Sequence, residues 1–273
     1  MHKEKILEVK NLVVTFSMYQ KGLRKSHLEV IHGLSLDVNK GEVLTKKVCK
    51  KYLGTDIAYI PQSVTYLDPL MRVGTQVIGV TSTKEKQEEI FEHYQLSKEV
   101  AKMYPFQLSG GMARRVLISA AVMEEPKLII ADEPTPGLNL EMAMETLMHF
   151  RKLANDGTAV LMITHDIDLA LHVADRIAVF YAGTILEIAP TKDFLKGKEA
   201  LRHPYSQAFI DALPQNGFKP LRGIQPYAGN LPKGCLFAER CPNCDQSCFS
   251  NIPLQVVRGG KVRCVHAAKS RAN

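Results

Sequence analysis

Two adjacent carboxylates, Asp132 and Glu133, close the apolar run KLIIADE at 127–133. A strand ending this way sets both at the carboxyl edge of a parallel sheet, where α/β folds bind ligands. There an Asp can hold Mg2+ through water, and a Glu can orient or deprotonate an attacking water. Alone, the pair reads equally well as a surface Asp-Glu that caps a strand. Three further motifs shift the balance. LSGGM at 108–112 brings a hydroxyl and backbone N–H groups to a helix start, a setting suited to phosphate oxygens. His165 follows the next apolar run in ITHD, and Gln62 follows the β-rich IAYIP. Each has a plain structural use, Ser109 as a helix cap and His165 as a strand-end polar residue. Their order and spacing together point to phosphate chemistry.

These residues need strands and helices to hold them. ILEVKNLVVTF at 6–16 and VIHGLSLDV at 30–38 read as paired strands near one edge of a sheet, the second closed by Asn39-Lys40-Gly41. IAYIPQ at 57–62 is a short strand stopped by Pro61, and the chain to about residue 125 reads mostly helical. Within it, KEKQEEIFEHY at 84–94 is a polar helix. GMARRVLISAAVM at 111–123 places Met112, Val116, Ala120 and Met123 on one buried stripe opposite Arg114 and Arg115. Strand and helix then alternate: KLIIADE, LEMAMETLMHFRKLA at 140–154, AVLMITHD at 159–166 and DLALHVAD at 168–175. Buried apolar strands joined by helices imply a parallel sheet covered on both faces. RIAVFYAGTILEIAP at 176–190 turns at Ala182-Gly183 as a hairpin, and a Pro-rich stretch follows Pro190.

The 273 residues carry 45% hydrophobic and 23% charged side chains, which suits one large domain or a domain with an appendage and argues against disorder. No apolar run reaches the roughly 18–20 residues of a membrane span, and MHKEKILEVK lacks the features of a secretory signal. The expected location is the cytoplasm, on a membrane-bound partner. The net charge of +7 could favour nucleic acid, anionic lipid or phosphorylated ligands. No nucleic-acid motif accompanies it, so a solvated basic surface is the simpler reading and no nucleic-acid partner is expected.

Gln62 after IAYIP, LSGGM, LIIADEPT, GLN at 137–139 and ITHD occur in the order and spacing of ATP-binding-cassette (ABC) nucleotide-binding subunits, which nearly the whole chain resembles. HPYSQAFIDALP at 203–214 and GCLFAERCP at 234–242 are similar to the ATP-binding subunits of oligopeptide, dipeptide and nickel importers. The resemblance implies an α/β P-loop NTPase core, a mixed sheet flanked by helices, over residues 1–200, with a helical subdomain at about 63–125. A small Cys/Pro-rich module occupies 201–273. It further implies that Phe16, or alternatively Tyr19, stacks on the adenine of ATP. Gln62 would contact Mg2+ and the attacking water, Asp132 would position Mg2+, Glu133 would be the general base, and His165 would contact the γ-phosphate. Ser109, Gly110 and Gly111 would clamp the nucleotide of a partner, because such sites form between head-to-tail cassettes. The implied partners are an identical or paralogous ATPase subunit, two membrane-spanning permease subunits and, indirectly, an extracellular substrate-binding protein. The implied place is the cytoplasmic face of the cell membrane.

Three departures matter. Asn139 stands where the family usually has Asp, and Arg114 replaces a common Gln. The chain also lacks G-x-x-x-x-G-K-[ST], the loop whose backbone cradles phosphates. Only the 17 residues 45–61 separate Leu44 from Gln62, too few for that loop, its helix and further strands. Either the protein has a deletion or an internal segment is missing from the sequence. Excising a central strand and its helix would open the core, which favours the second. A real deletion would leave a non-hydrolysing partner or scaffold subunit that lends its LSGGM face to a paralogous ATPase.

Five of the six cysteines fall at 235, 241, 244, 248 and 264. In a cytosolic chain such clustering suggests metal ligation over disulfides. Four thiolates suit Zn2+ or an iron-sulfur cluster equally, and partly buried structural thiols are a third reading. The resemblance matches Cys235, Cys241, Cys248 and Cys264 to a pattern that holds a [4Fe-4S] cluster in some relatives, with Cys244 additional.

Overall fold

The computed structural model describes residues 4–20, 24–44, 56–79 and 82–267, and its account of side chains further leaves out 16–20, 24–27 and 44. Tertiary contacts divide the chain into two units, one of residues 1–7 and 38–174 and the other of 8–37 and 175–273. Residue 200, where the sequence places the domain boundary, lies inside the second unit, as does the hairpin 8–37. The strands after Ala174 pair with the C-terminal strands through backbone hydrogen bonds.

In the first unit, β3 (Val43–Leu44), β4 (Ile57–Ile60), β5 (Leu128–Asp132) and β6 (Ala159–Ile163) form a parallel sheet in the order β3-β6-β5-β4. β5 and β6 are each buried over four residues and emerge at the last, which is why they read as continuous apolar runs. Their register sets Leu128 beside Ala159 and Asp132 beside Ile163. The four strands form an unbroken ladder, so the gap in the sheet expected from a lost central strand is not found among the described residues. β3 and β4 lie at opposite edges and run the same way.

Helices α1 (Val73–Ile78), α2 (Lys84–His93) and α3 (Gly110–Val122) follow β4, with short 3-10 turns between them. The single buried stripe expected for α3 is a correction. Ala113, Arg114, Val116, Leu117, Ile118, Ser119 and Val122 are all buried, because α3 packs against α1, α2 and β4 at once. α4 (Leu140–Asn155) follows β5, capped by Asn139 Oδ1 accepting from Met142 N at 2.8 Å, and α5 (Ile167–Val173) follows β6.

In the second unit, β1 (Lys5–Gln20, from Glu8 onward) and β2 (Arg24–Asn39, to Asp37) form a two-stranded sheet of their own, where the sequence suggested the edge of a larger one. β7 (Arg176–Tyr181) and β8 (Thr184–Pro190) turn at Ala182 and Gly183, both at positive φ (45° and 92°), as a two-residue primed hairpin turn demands. β9 (Gln255–Val257) and β10 (Gly260–Val262) complete an antiparallel sheet in the order β7-β8-β10-β9. Helices α6 (Thr191–Leu195) and α7 (Pro204–Asp211) lie between β8 and β9 in sequence. A buried charge network fixes them. Arg202, 3% exposed, donates to Glu187 at 3.3 Å and Asp193 at 2.7 Å, and the Glu187 carboxylate accepts from the backbone N–H groups of Arg202 and His203.

Candidate active site at the carboxyl edge of the parallel sheet

Parallel pairing brings the ends of β5 and β6 together, so Glu133 and His165, 32 residues apart in sequence, become neighbours. Glu133 N donates to Ile163 O at 2.8 Å. The residue sits at φ 49°, a left-handed conformation that costs a non-glycine side chain stability and recurs at functional sites. Glu133 Oε1 lies 2.8 Å from His165 Nδ1, and Oε2 accepts from the Thr164 hydroxyl at 3.4 Å. Thr164 Oγ1 also accepts from Asp166 N at 3.0 Å, and Asp166 caps α5 through Leu169 N, which fixes the turn that carries His165. The His165 ring is 81% exposed and the Glu133 side chain only 14%. The Glu133 hydrogen bond raises the His165 pKa above its ordinary value.

Beside this pair, Asp132 Oδ2 accepts from the hydroxyl of Tyr59 on β4 at 3.1 Å. Burial, then the Asp132 charge, pushes Tyr59 up to about 12, so it remains a donor. Gln62 is exposed two residues beyond β4. Buried Arg114 on α3 holds the backbone there, donating from Nη1 to Pro61 O at 2.5 Å and from Nη2 to Gln62 O. Burial lowers the Arg114 pKa, and the charges of Asp132 and Glu133 oppose that shift. The departure from the family pattern at 114 thus ties the helix after LSGGM to the glutamine loop.

Ser109 caps α3, its Oγ accepting from Met112 N at 3.2 Å, and both Ser109 and Gly110 are exposed. A Cβ on Gly110 would meet nothing within 4 Å, and one on Gly111 would approach Gly137 O at 3.3 Å. The helix start thus offers open backbone N–H groups beside the loop after the carboxylates. Phe16 and Tyr19 lie on β1 but their side chains are outside the described residues, as is the junction 45–55.

Gln62, Asp132, Glu133 and His165 therefore gather at one sheet edge. Tyr59 and Thr164 were not singled out from sequence. The only available signal for Tyr59 was register: it pairs with Ile130, two residues before Asp132 on the neighbouring strand. Asp132 and the exposed Gln62 are hard oxygen donors of the kind Mg2+ prefers, and Asp132 already lies in a hydrogen-bonded setting at the strand end.

In the second unit, Cys235, Cys248 and Cys264 are buried and Cys241 and Cys244 half-buried, all as free thiols. Burial pushes the Cys235 and Cys241 thiols up to about 11. His203 of HPY is fully buried and pushed down to about 3, its Nδ1 accepting from Tyr205 N at 3.0 Å.

Residues 25–136 match the family described as ABC transporter, and 186–248 match the oligopeptide/dipeptide transporter C-terminal region. The chain is 33% identical to the oligopeptide transport ATP-binding protein AppD of Bacillus subtilis, over 78% of this chain and 70% of that one. It is 34% identical to the dipeptide transport ATP-binding protein DppD of Haemophilus influenzae, over 84% and 75%. The B. subtilis dipeptide protein DppD is 30% identical over 325 positions, 93% of this chain and 92% of its own. Because that span exceeds the 273 residues here, the relative carries residues that this chain lacks. A dimeric ATP-binding cassette solved in a post-hydrolysis state with ADP and Pi superposes with a TM-score of 0.58 at 21% identity, over 67% of this chain and 98% of that one. A nucleotide-free cassette gives 0.56 at 21%, over 76% and 98%. With the carboxylate, histidine and glutamine ends of one parallel sheet in the cassette fold, and the HPY module behind them in sequence, the chain belongs to the ABC transporter ATP-binding proteins of the oligopeptide/dipeptide branch.

Proposed function

We propose that the chain hydrolyses Mg-ATP at a head-to-tail interface with an identical or paralogous cassette to drive import through two permease subunits at the cytoplasmic face of the membrane. The observation that carries this reading is the Glu133–His165 contact beside Asp132 at the sheet edge. Glu133, held by Thr164 and His165, is the general base that takes a proton from the attacking water, and His165 contacts the γ-phosphate. Asp132 and Gln62 hold Mg2+, which would neutralise charge on the phosphates. Ser109, Gly110 and Gly111 serve the nucleotide of the partner subunit. The relatives above are named for oligopeptide and dipeptide transport, which favours a peptide over nickel as the cargo, delivered by an extracellular binding protein. No helix among the described residues is long and apolar enough to cross a membrane.

The test is ATP hydrolysis by the assembled transporter with wild-type chain and with Glu133→Gln. Loss of a positioned general base lowers the rate by about 10²- to 10⁴-fold, with the fold unchanged. A second reading is favoured by the absent phosphate-loop pattern: a subunit that only lends Ser109–Gly111 to a hydrolysing partner. It predicts activity insensitive to Glu133→Gln yet abolished by Ser109→Arg.

A further inference from the structure

In the second unit a cavity of about 300 Å³ is lined by Lys192 and Asp193 of α6, Lys196 at its C-cap, Ala200, Arg202 and, from the turn joining β9 to β10, Arg258. Arg202 is already committed. Its Nη2 donates to Asp193 Oδ2 at 2.7 Å and to Arg258 O at 2.5 Å, its Nη1 to Glu187 Oε1 at 3.3 Å and its Nε to Val257 O at 2.6 Å. A Cβ on Gly260 would stand 2.7 Å from Arg202 Cζ, so this glycine leaves the guanidinium its seat. Arg202 and its two carboxylates together carry one negative charge. Lys192, Lys196 and Arg258 add three positive ones, so at neutral pH the cavity and its supports carry a net charge of +2.

These three cations are not consumed by the fold. None of them forms an ion pair among the described residues. The Arg258 guanidinium donates from Nη2 to Leu201 O at 3.3 Å, whereas its Nε is buried without a partner, which costs stability in a charged group. Lys192 and Lys196 are exposed and one helical turn apart, Lys196 N donating to Lys192 O at 3.2 Å. Like charges at that spacing weaken a helix slightly. Arg258 sits at φ 47° in a two-residue turn with Gly259 at 75°, a position where Asn, Asp or Gly is the ordinary occupant. The lysine pair and the turn arginine are thus each a small cost to folding, and one shared anion accounts for both.

We propose that this cavity binds a phosphate monoester. Arg258 supplies a planar fork for two phosphate oxygens, and Lys192 and Lys196 act as point charges toward the remaining one. A monoester carries about −1.5 to −2 charges at pH 7, which matches the charge of the site. A carboxylate, with one charge and two oxygens, leaves a cation unmatched. Asp193 does not oppose the anion at full strength, because Arg202 pairs with it. The bound phosphate would tie α6 to the β9–β10 turn. The site uses residues of the second unit alone and does not rest on ATP hydrolysis.

The experiment titrates the full chain with glycerol phosphate by calorimetry and, in a separate arm, with vesicles containing phosphatidic acid, whose headgroup is the same monoester. Arg258→Gln should weaken binding by about 10- to 100-fold, the range for hydrogen bonds to a charged group. The double variant Lys192→Gln/Lys196→Gln should weaken it by about 10-fold. Lys219→Gln removes an exposed charge outside the lining and should change nothing. Thermal unfolding without ligand checks each variant, and the double variant, altered only at exposed side chains, decides the matter if Arg258→Gln fails to fold. Binding of glycerol phosphate that falls in the double variant supports the site with a soluble metabolite as source. Binding of vesicles alone, with the same loss, supports it with a lipid headgroup as source. The proposal is overturned if the wild-type chain binds neither probe at millimolar concentration, or if binding is unchanged in Lys192→Gln/Lys196→Gln.

Discussion

Two histidines mark the difference between the units. His165 stands on a turn at the end of β6 with its ring in solvent, and Glu133 raises its pKa. His203 is wholly buried, and desolvation pushes it down to about 3. The first unit thus sets its polar groups at the wet ends of apolar strands, where they can meet a ligand. The second uses polar groups as internal struts around Arg202, Glu187 and Asp193. Residue type alone therefore does not make a site: backbone burial decides whether a charge is available for chemistry or committed to structure.

The sharpest test of that contrast removes one carboxylate from each unit. Glu187→Ala strands Arg202 as a buried, unpaired charge and should destabilise the second unit by about 3–5 kcal/mol, read by thermal or urea unfolding. Glu133→Gln, at the wet edge, should leave the unfolding midpoint nearly unchanged. Equal losses in the two variants would erase the distinction.

Next in size is Arg114, which departs from this pattern because it is a buried strut inside the catalytic unit. Arg114→Met leaves the carbonyls of Pro61 and Gln62 without donors and should cost about 1–3 kcal/mol. Arg114→Gln, which restores the residue usual in the family, should recover part of this. A smaller effect belongs to the caps: Ser109→Ala and Asn139→Ala each lose one side-chain acceptor at a helix start, about 1 kcal/mol. The cap at Asn139 works without the carboxylate common at that position.

The smallest effect is the titration of His165. His165 has a folded pKa above its unfolded value, so its pairing with Glu133 is fully present below the ordinary histidine range and is lost as pH rises through the folded value. NMR of the His165 ring should show this elevated midpoint falling in Glu133→Gln. His203 behaves in the opposite sense. Its folded value is depressed, so its contribution is present above the ordinary histidine range and is lost as pH falls from there toward about 3. Burial likewise lowers His149 on α4 to about 4, so acid should loosen both units through their buried histidines.

The strands β4, β5 and β6, helices α2 and α4, and the turn at Ala182-Gly183 were legible because apolar runs, helical spacing and turn chemistry are local signals. That Gln62, Asp132, Glu133 and His165 would lie at strand ends was legible because each closely follows such a run. Arg114 was misjudged, since a helix packed on several sides at once carries no outward face for its arginine to occupy. The pairing of the 8–37 hairpin as a sheet of its own was likewise hidden, because strand propensity does not name a partner.

By itself the sequence determined the order of elements, the polar residues at the strand ends, the family and the lack of a phosphate-loop pattern between Leu44 and Gln62. Tertiary structure alone decided that Glu133 touches His165, that Tyr59 holds Asp132, that Arg114 faces inward and that Lys192, Lys196 and Arg258 meet at one cavity. These contacts join residues that sheet register and loop closure bring together, and the energy of such long-range pairing is not written in any local stretch of chain.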